Sequence, residues 1–393
     1  MVHSYGSADV VVAGGGIVGA ACAFFLARRG ASVIVLERGG IASGSTSATQ
    51  GLVGYGLLGD RHHLDLQLEA LVAYDSLLEQ GFDFGFTRNG ALVIPDGPSD
   101  GEALRRAVST RTERGLKCEW LPAAELLRLE PMLAPSSTGG AYLPELAQVS
   151  PMRVALELIR HAVDQGAQVW CGTPLSGIEF DRRRAIVAVR TGAGRVSTKS
   201  LVLATGSWSR KAGTLAGLSV PVWPRKGHVI VIEPVPGFVS RPIVDFRYGS
   251  TVEVSTDAYA AVPIAGPAQV FGVVQPLPSG QILVGGSAEF AEFDRSVSPA
   301  VVGQIARRAV RLVPALAKLR AIRTYTGFRP WTPDGRPLVG PTGQATGLVF
   351  ATGHGGEGIT HSVLTGQIVA DLIVDGSTKL DVRPLSPDRF RMS

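Results

Sequence analysis

From residue 10 to residue 27 the chain carries no charged side chain, an apolar run of eighteen positions broken by three consecutive glycines, Gly14 to Gly16. Such a run can mark a membrane span or a signal segment. Here no Lys or Arg precedes it and the glycines divide it. The pattern therefore predicts a buried strand over residues 9–13, a turn, and a buried helix over 17–29 stopped by Gly30. A second, β-branched strand over 32–36 ends at Glu37 and completes a βαβ unit of about thirty residues. A Gly/Ser/Thr-rich loop fills 39–56, and a polar–apolar helix follows from about residue 63 to 78.

Helical spacing returns over 151–164, with Val154, Leu158 and Ile159 on one side, and short strands are predicted near 169, 186–190 and 201–204. Residues 222–325 read as mainly β, with strands near 229–233 and 281–285 and one helix at about 299–313. The closing residues return to the opening pattern, with an apolar strand over 348–351, a glycine-rich turn, and a helix over 359–373.

Composition narrows the class. Hydrophobic residues make up 45% and charged residues 18%, which excludes a disordered or coiled-coil chain. Glycine is in excess, 49 of 393, against roughly 7% in ordinary usage. Net charge is 38 − 33 = +5, and no Lys/Arg run is long enough to suggest a nucleic-acid partner. The three cysteines, Cys22, Cys118 and Cys171, are odd in number and far apart, so a reducing cytoplasm is expected. The seven histidines show no metal-ligand spacing, and the His62–His63 pair reads as a solvated helix start. No GxSxG elbow is present.

The chemistry begins at Gly14-x-Gly16-x-x-Gly19, placed between strand and helix. Gly14 permits the turn, Gly16 lets a pyrophosphate approach the backbone, and Gly19 lets helix and strand pack closely. The phosphates would meet the open amides of a helix N-terminus. Glu37 suits ribose hydroxyls and would repel a 2′-phosphate, which argues against NADP. Three further glycine turns, at 44–56, 204–206 and 353–358, either hold the length of an FAD or are unrelated loops. Because a late strand–turn–helix resembles the early one, the chain is expected to leave its nucleotide domain and return to it.

The segments VVVAGGGIVGAACAFFLARRG with Glu37-Arg38, GSTSATQG, LVLATGSWS, GFRPWTPDGRPLVGP and TGHGGEGIT resemble the flavoprotein D-amino-acid oxidase superfamily, from about residue 10 to 389. GFRPWTPDGRPLVGP is similar to bacterial D-amino-acid dehydrogenases, and GHGGEGIT to the eukaryotic-type oxidases. The resemblance implies an α/β fold: a Rossmann-like FAD-binding domain (1–80, 146–221 and 326–393) with an inserted, mainly β (α+β) substrate domain (81–145 and 222–325).

It also implies site residues. Gly14, Gly16, Ile17 and Val18 would face the pyrophosphate, and Glu37 and Arg38 the adenosine. Ser45, Thr46, Ser47, Gln50, Gly51 and Leu52 would run beside the pyrophosphate and the flavin ring. Leu175 would hold the adenine through its backbone, and Ala204, Gly206 and Trp208 form the second glycine turn. Gly355, Gly356, Glu357, Gly358, Ile359 and Thr360 would lie under the ring, with a helix N-terminus aimed at its N1/C2 edge. Arg329 would pair with a substrate carboxylate. His354 is the nearest titratable candidate in catalysis, with His228 a weaker one, and Tyr248 and Tyr325 are possible pocket residues.

Glu357 departs from the family, standing where several relatives carry an aromatic or an amide. It would select a cationic substrate, meet a partner, or pair with an Arg. The absence of a cysteine in the C-terminal half implies noncovalent FAD, a histidyl bond being the alternative.

The expected function is FAD-dependent oxidation of the C–N bond of an amino acid or carboxylated secondary amine, by hydride transfer to flavin N5. The imine product would hydrolyse to a 2-oxo acid. The acceptor would be O2, a quinone or a redox partner subunit, and an oligomer is possible. Two alternatives stay open: the flavoprotein subunit of a heteromeric amino-acid, opine or hydroxyproline-type dehydrogenase, and a non-catalytic nucleotide-binding protein. No metal, nucleic acid or transmembrane segment is expected.

Overall fold

The computed structural model describes residues 4–54, 56–57, 60–247 and 266–390. Its centre is a six-stranded sheet. Four of its strands, β2 (Val10–Ala13), β3 (Val33–Leu36), β9 (Gln168–Trp170) and β13 (Ser200–Leu203), are parallel. β20 (Leu348–Thr352) joins β13 in parallel, and β19 (Leu338–Pro341) closes the edge antiparallel. The order is β19-β20-β13-β2-β3-β9.

β2, β3 and β20 read as apolar runs because both their faces are buried. Val10 and Val12 enter one core, with the helices α1 (Ile17–Arg28), α2 (Arg61–Glu79) and α5 (Pro151–Asp164). Val11 and Ala13 enter another, against a four-stranded sheet. That sheet has the order β1 (Ser4–Ser7), β12 (Gly194–Ser197), β11 (Ile186–Thr191) and β10 (Leu175–Phe180). A short helix, α6 (Ser209–Thr214), follows β13 and its glycine turn. The last helix, α8 (Gly358–Val374), packs lengthwise on α1. A Cβ at Gly366 would stand 2.6 Å from the backbone of Ala21, so this glycine sets the separation of the two helices.

The second layer is an eight-stranded sheet. β14 (Trp223–Ile232) lies between β18 (Ala321–Trp331) and β17 (Ile282–Phe290), followed by β16 (Gln269–Pro276) and β15 (Ile243–Asp245). β5 (Ala91–Ile94), β7 (Gly139–Leu143) and β6 (Glu119–Pro122) complete it. Helix α7 (Pro299–Leu312) covers one face, with Ile305 in one core with Ile230 and Val284. A short pair, β4 (Leu52–Val53) with β8 (Ala147–Gln148), links the two layers.

Two features go beyond the sequence reading. Residues 81–145 hold α3 (Pro98–Glu113) and α4 (Ala123–Leu129) besides their three strands. Helix α3 buries only Leu104, Val108 and Arg111, too few apolar positions to show a helical period. And β18 runs unbroken through the division read at 325/326, with residues 326–331 all paired to β14. Gly327 and Pro330 interrupt its apolar pattern and hid its length.

Candidate active site

A cavity of about 840 Å³ lies between the two large sheets. One wall is the carboxyl end of the central sheet, where Gly14, Glu37, Ala204 and Thr352 follow or end parallel strands. That is where ligands of open α/β sheets bind. The opposite wall is the face of β14 and β18, through Gly227, Val229, Gly327, Phe328, Arg329 and Pro330.

At one end the chain makes a phosphate-sized cradle. Gly14 has φ +113, and a Cβ there would lie 2.4 Å from the Ala204 carbonyl oxygen, so only glycine fits. Gly16 caps α1 without a side-chain bond, and no acid occupies the first turn. The Ile17 amide donates to Thr46 Oγ1 at 3.1 Å, which draws the loop carrying Ser45 and Thr46 against the helix start. Both oxygens of Glu37 accept from backbone, the amides of Gly15 and Gly39, each at 2.7 Å. Its carboxylate is thereby fixed at the end of β3. Arg38 lies 3.9 Å from the Trp208 ring centroid, and Trp208 in turn stacks on Phe293. Val18, Leu175 and Gly206 complete this end.

At the other end Gly355, Gly356, Gly358 and Ile359 bring the N-terminus of α8 to the cavity. Gly355 has φ +55, and its amide donates to the Pro330 carbonyl at 2.9 Å. Gln50, Gly51 and Leu52 pass alongside. Ser45 and Ser207 hydroxyls both donate to the Phe328 carbonyl, at 2.6 and 2.9 Å, and so pin two glycine turns to β18. Two helix N-termini at a long chamber, one free of acids and rimmed by glycine, fit an FAD; α1, Glu37 with Arg38, and α8 are the features that could hold its phosphates, adenosine and ring.

Arg329 is half-buried on the β18 wall. Its Nη1 donates to the Ser287 carbonyl at 2.8 Å, passing over Gly227, where a Cβ would stand 2.4 Å from that nitrogen. No described carboxylate lies in ion-pair range of it, whereas Arg308, Arg311 and Arg389 elsewhere in the fold each have one. His354 also reaches the cavity, but its ring is buried and its Nε2 meets Thr365 Oγ1 at 2.9 Å. Burial pushes it down to about 3, so it is neutral at any ordinary pH.

Three residues expected at the cofactor do not line the cavity. Ser47 is exposed, and its hydroxyl donates to the Gly44 carbonyl. Thr360 turns inward, accepting from the Gly54 amide at 3.4 Å. Glu357 points to α2, where His63 and Gln67 hold its carboxylate. His63 is thus a partly buried partner of Glu357 and not a solvated helix start.

His228 lies behind the β14 wall, between Ser287 Oγ and the Ser298 amide, and burial pushes it down to about 4. Tyr325 does not line the cavity, and Tyr248 lies outside the described residues. Sequence reading passed over Gly227 and Val229. A glycine inside the β-branched run of PRKGHVIVI was the available signal, since it marks a close approach to a strand.

Among the described residues no helix is long and apolar enough to cross a membrane, and no His/Cys/Asp/Glu group could hold a metal. A family model described as DAO, FAD dependent oxidoreductase, matches residues 9–372. The chain is 31% identical to a glycine oxidase of Geobacillus kaustophilus, over 99% of this chain and 98% of that one. It is 27% identical to hydrogen cyanide synthase subunit HcnC of Pseudomonas aeruginosa, over 98% and 96%. The crystal structure of a glycine oxidase from Geobacillus kaustophilus superposes with a TM-score of 0.85 at 28% identity, covering 97% of this chain and 98% of that one. With its glycine cradle and open helix start in place, and the match running along nearly the whole length, the chain belongs to the DAO family of FAD-dependent oxidoreductases.

Proposed function

We propose that this FAD-dependent oxidoreductase oxidises the Cα–N bond of a small amino acid or carboxylated secondary amine. The observation that carries the substrate class is Arg329, a half-buried guanidinium on the cavity wall without a described acidic partner. Its planar fork suits a carboxylate. The glycine oxidase relatives support a small substrate.

FAD, when bound, would supply the two-electron oxidant: the Cα–H bond would give up a hydride as the nitrogen lone pair forms the C=N bond, and the N–H bond would then yield a proton. The chain's own part is orientation. Arg329 fixes the carboxylate, and the bond from Nη1 to Ser287 fixes Arg329. The uncapped start of α8 presents positive amide ends to the cavity, which would stabilise negative charge on a reduced flavin held there. His354 is neutral and bound to Thr365, so it shapes the wall rather than removing a proton. The imine then takes up water and releases ammonia, or the amine, from a 2-oxo acid.

None of the three cysteines lines the cavity, which supports noncovalent FAD held by the glycine turns and by Glu37, Arg38 and Leu175. Cys22, Cys118 and Cys171 are unpaired, in keeping with a reducing cytoplasm. The relative named as a cyanide synthase subunit favours a second reading, in which a partner subunit rather than O2 takes the electrons.

Anaerobic addition of D- and L-amino acids, glycine, sarcosine and proline derivatives to the yellow protein tests both readings. Loss of the oxidised-flavin band identifies the reductant, and admission of air shows whether O2 restores it. If none of these compounds bleaches the protein, the amino-acid reading fails.

A further inference from the structure

Besides Arg329, three cations line the cavity: Arg38, Lys211 and Arg295. All three are exposed, and none has a carboxylate in ion-pair range among the described residues. The only acid of the wall among those residues, Glu37, gives both its oxygens to the amides of Gly15 and Gly39. Arg38 follows β3, whereas Arg295 comes from the second layer, yet the two guanidinium charges are close enough to repel. After desolvation, and against the pull of Glu37, Arg295 lowers Arg38 below its ordinary value. Like charges gathered at one rim without an acid make a site for an anion.

Arg295 is not there by chance, because the loop that carries it is fixed at several points. Residues 291–298 join β17 to α7. Asp294 accepts from Lys226 Nζ at 2.8 Å, and that lysine is buried in β14 with its side chain 3% exposed. A buried ammonium needs such a partner, so the loop cannot leave without stranding it. Asp294 also accepts from the amide and hydroxyl of Ser296, and the Arg295 carbonyl accepts from Thr326 Oγ1 at 3.1 Å. Toward the cavity the loop presents Phe293, an apolar ring left 38% exposed. It stacks on Trp208 with centroids 5.1 Å apart and planes at 10°, and meets Phe328 edge-on at 5.4 Å. Trp208 belongs to the glycine turn after β13, and Arg38 lies over its ring.

We propose that loop 291–298 is a clasp by which the second sheet closes over the phosphate-bearing half of FAD, with Phe293 on Trp208 as the hook and Arg295 as a cofactor ligand that shares the pyrophosphate charge with Arg38. The assignment holds whatever the substrate. Without the anion the two arginines push the loop away from the first layer. With it they draw the layers together, so cofactor and clasp stabilise each other by the same factor.

The test follows FAD release from the holoenzyme, read as the rise of free-flavin fluorescence on dilution at low and at high salt. Arg295→Gln should release FAD about tenfold faster at low salt, and the gap should close to about twofold at high salt, where screening weakens the lost contact. Arg295→Lys keeps the charge and should regain most of the loss. Arg307→Gln, which removes an exposed arginine of α7 that does not line the cavity, controls for net charge and should release FAD as the unmodified protein does. Phe293→Ala should release FAD about fivefold faster at either salt. In that background Arg295→Gln should add less than about twofold, because an unhooked loop no longer holds the guanidinium at the rim.

Unchanged release in Arg295→Gln, an equal effect of Arg307→Gln, or a gap that salt does not narrow would overturn the cofactor contact. Effects of the two substitutions that simply multiply, or no effect of Phe293→Ala, would overturn the clasp.

Discussion

His63 and Glu357 meet between α2 and the start of α8, with Nε2 of the imidazole 3.0 Å from one carboxylate oxygen and 3.1 Å from the other. Burial works against the charge on each: it depresses His63 and raises Glu357. Their mutual attraction and hydrogen bond win, so His63 sits above its ordinary value and Glu357 below. Asp60 adds to the effect on His63, Arg111 opposes it, and Gln67 and His361 help hold the carboxylate down.

The sign of the linkage follows. The His63 contribution is full below its unfolded value and is lost as pH rises through its raised folded one. The Glu357 contribution is lost as pH falls through its lowered one. The pair therefore stabilises between the two. Glu357→Gln should lower the unfolding free energy most in that window, by at most about 1 kcal/mol because both side chains keep contact with solvent. The difference should vanish as His63 deprotonates. Urea midpoints of the two proteins over that range measure it, and a pH-independent difference would show that the pair acts by packing alone.

Arg329→Lys keeps the charge and removes the planar fork. Hydrogen bonds to a charged group are worth about 1.5–3 kcal/mol, so kcat/KM should fall by roughly ten- to a hundredfold. FAD content should not change, since the guanidinium's bond in the fold is to a neighbouring strand. Steady-state kinetics with flavin-to-protein ratios separates the two quantities. Loss of FAD in the variant would place Arg329 in cofactor retention.

The glycine turn after β2 was legible because its rules are local. Gly14, Gly16, Gly19 and Glu37 fall within one βαβ unit, and each is dictated by a turn, a close approach or a strand end. The opposite wall, which carries Arg329, is built across the sheet. Gly227 matters only because β18 places Arg329 over it, and Gly285 only because the loop before β4 lays Gln50 against it. No spacing in the chain announces either contact. Glu357 misled for the opposite reason: its motif lies at the cavity, but a one-residue step at a helix start turns a side chain to the far face, and there His63 was waiting.

His228, His354 and His361 are buried, and burial pushes them down to about 4, 3 and 4. Each is protonated in the unfolded chain below about 6.5 while still neutral in the folded one. Unfolding then takes up protons, and stability falls as pH drops from there toward the folded values. Replacing His228 by Asn should flatten this slope by about 1.4 kcal/mol per pH unit, the weight of one proton. Denaturant midpoints in the acid range check it, and an unchanged slope would mean that His228 is already protonated in the fold.

Gly366→Ala probes how the cofactor end is held. A Cβ there would stand 2.6 Å from the Ala21 carbonyl carbon and 2.7 Å from its oxygen and Cβ, all on a helix buried along nearly its whole length. Backbone atoms cannot swing away as a side-chain tip can, so α8 must move off α1. Overpacking of this kind costs about 1–3 kcal/mol. The same movement lifts Gly355 to Ile359, which bring the helix start to the cavity. The variant should therefore lose stability and FAD affinity together. Gly192→Ala, with no atom within 4 Å of the new carbon, is the control and should change neither. FAD dissociation constants and melting temperatures of both variants decide the matter. A Gly366→Ala protein that melts lower yet binds FAD as before would show that the turn at 353–358 is anchored by β18 through the Gly355–Pro330 bond, and not by the helix behind it.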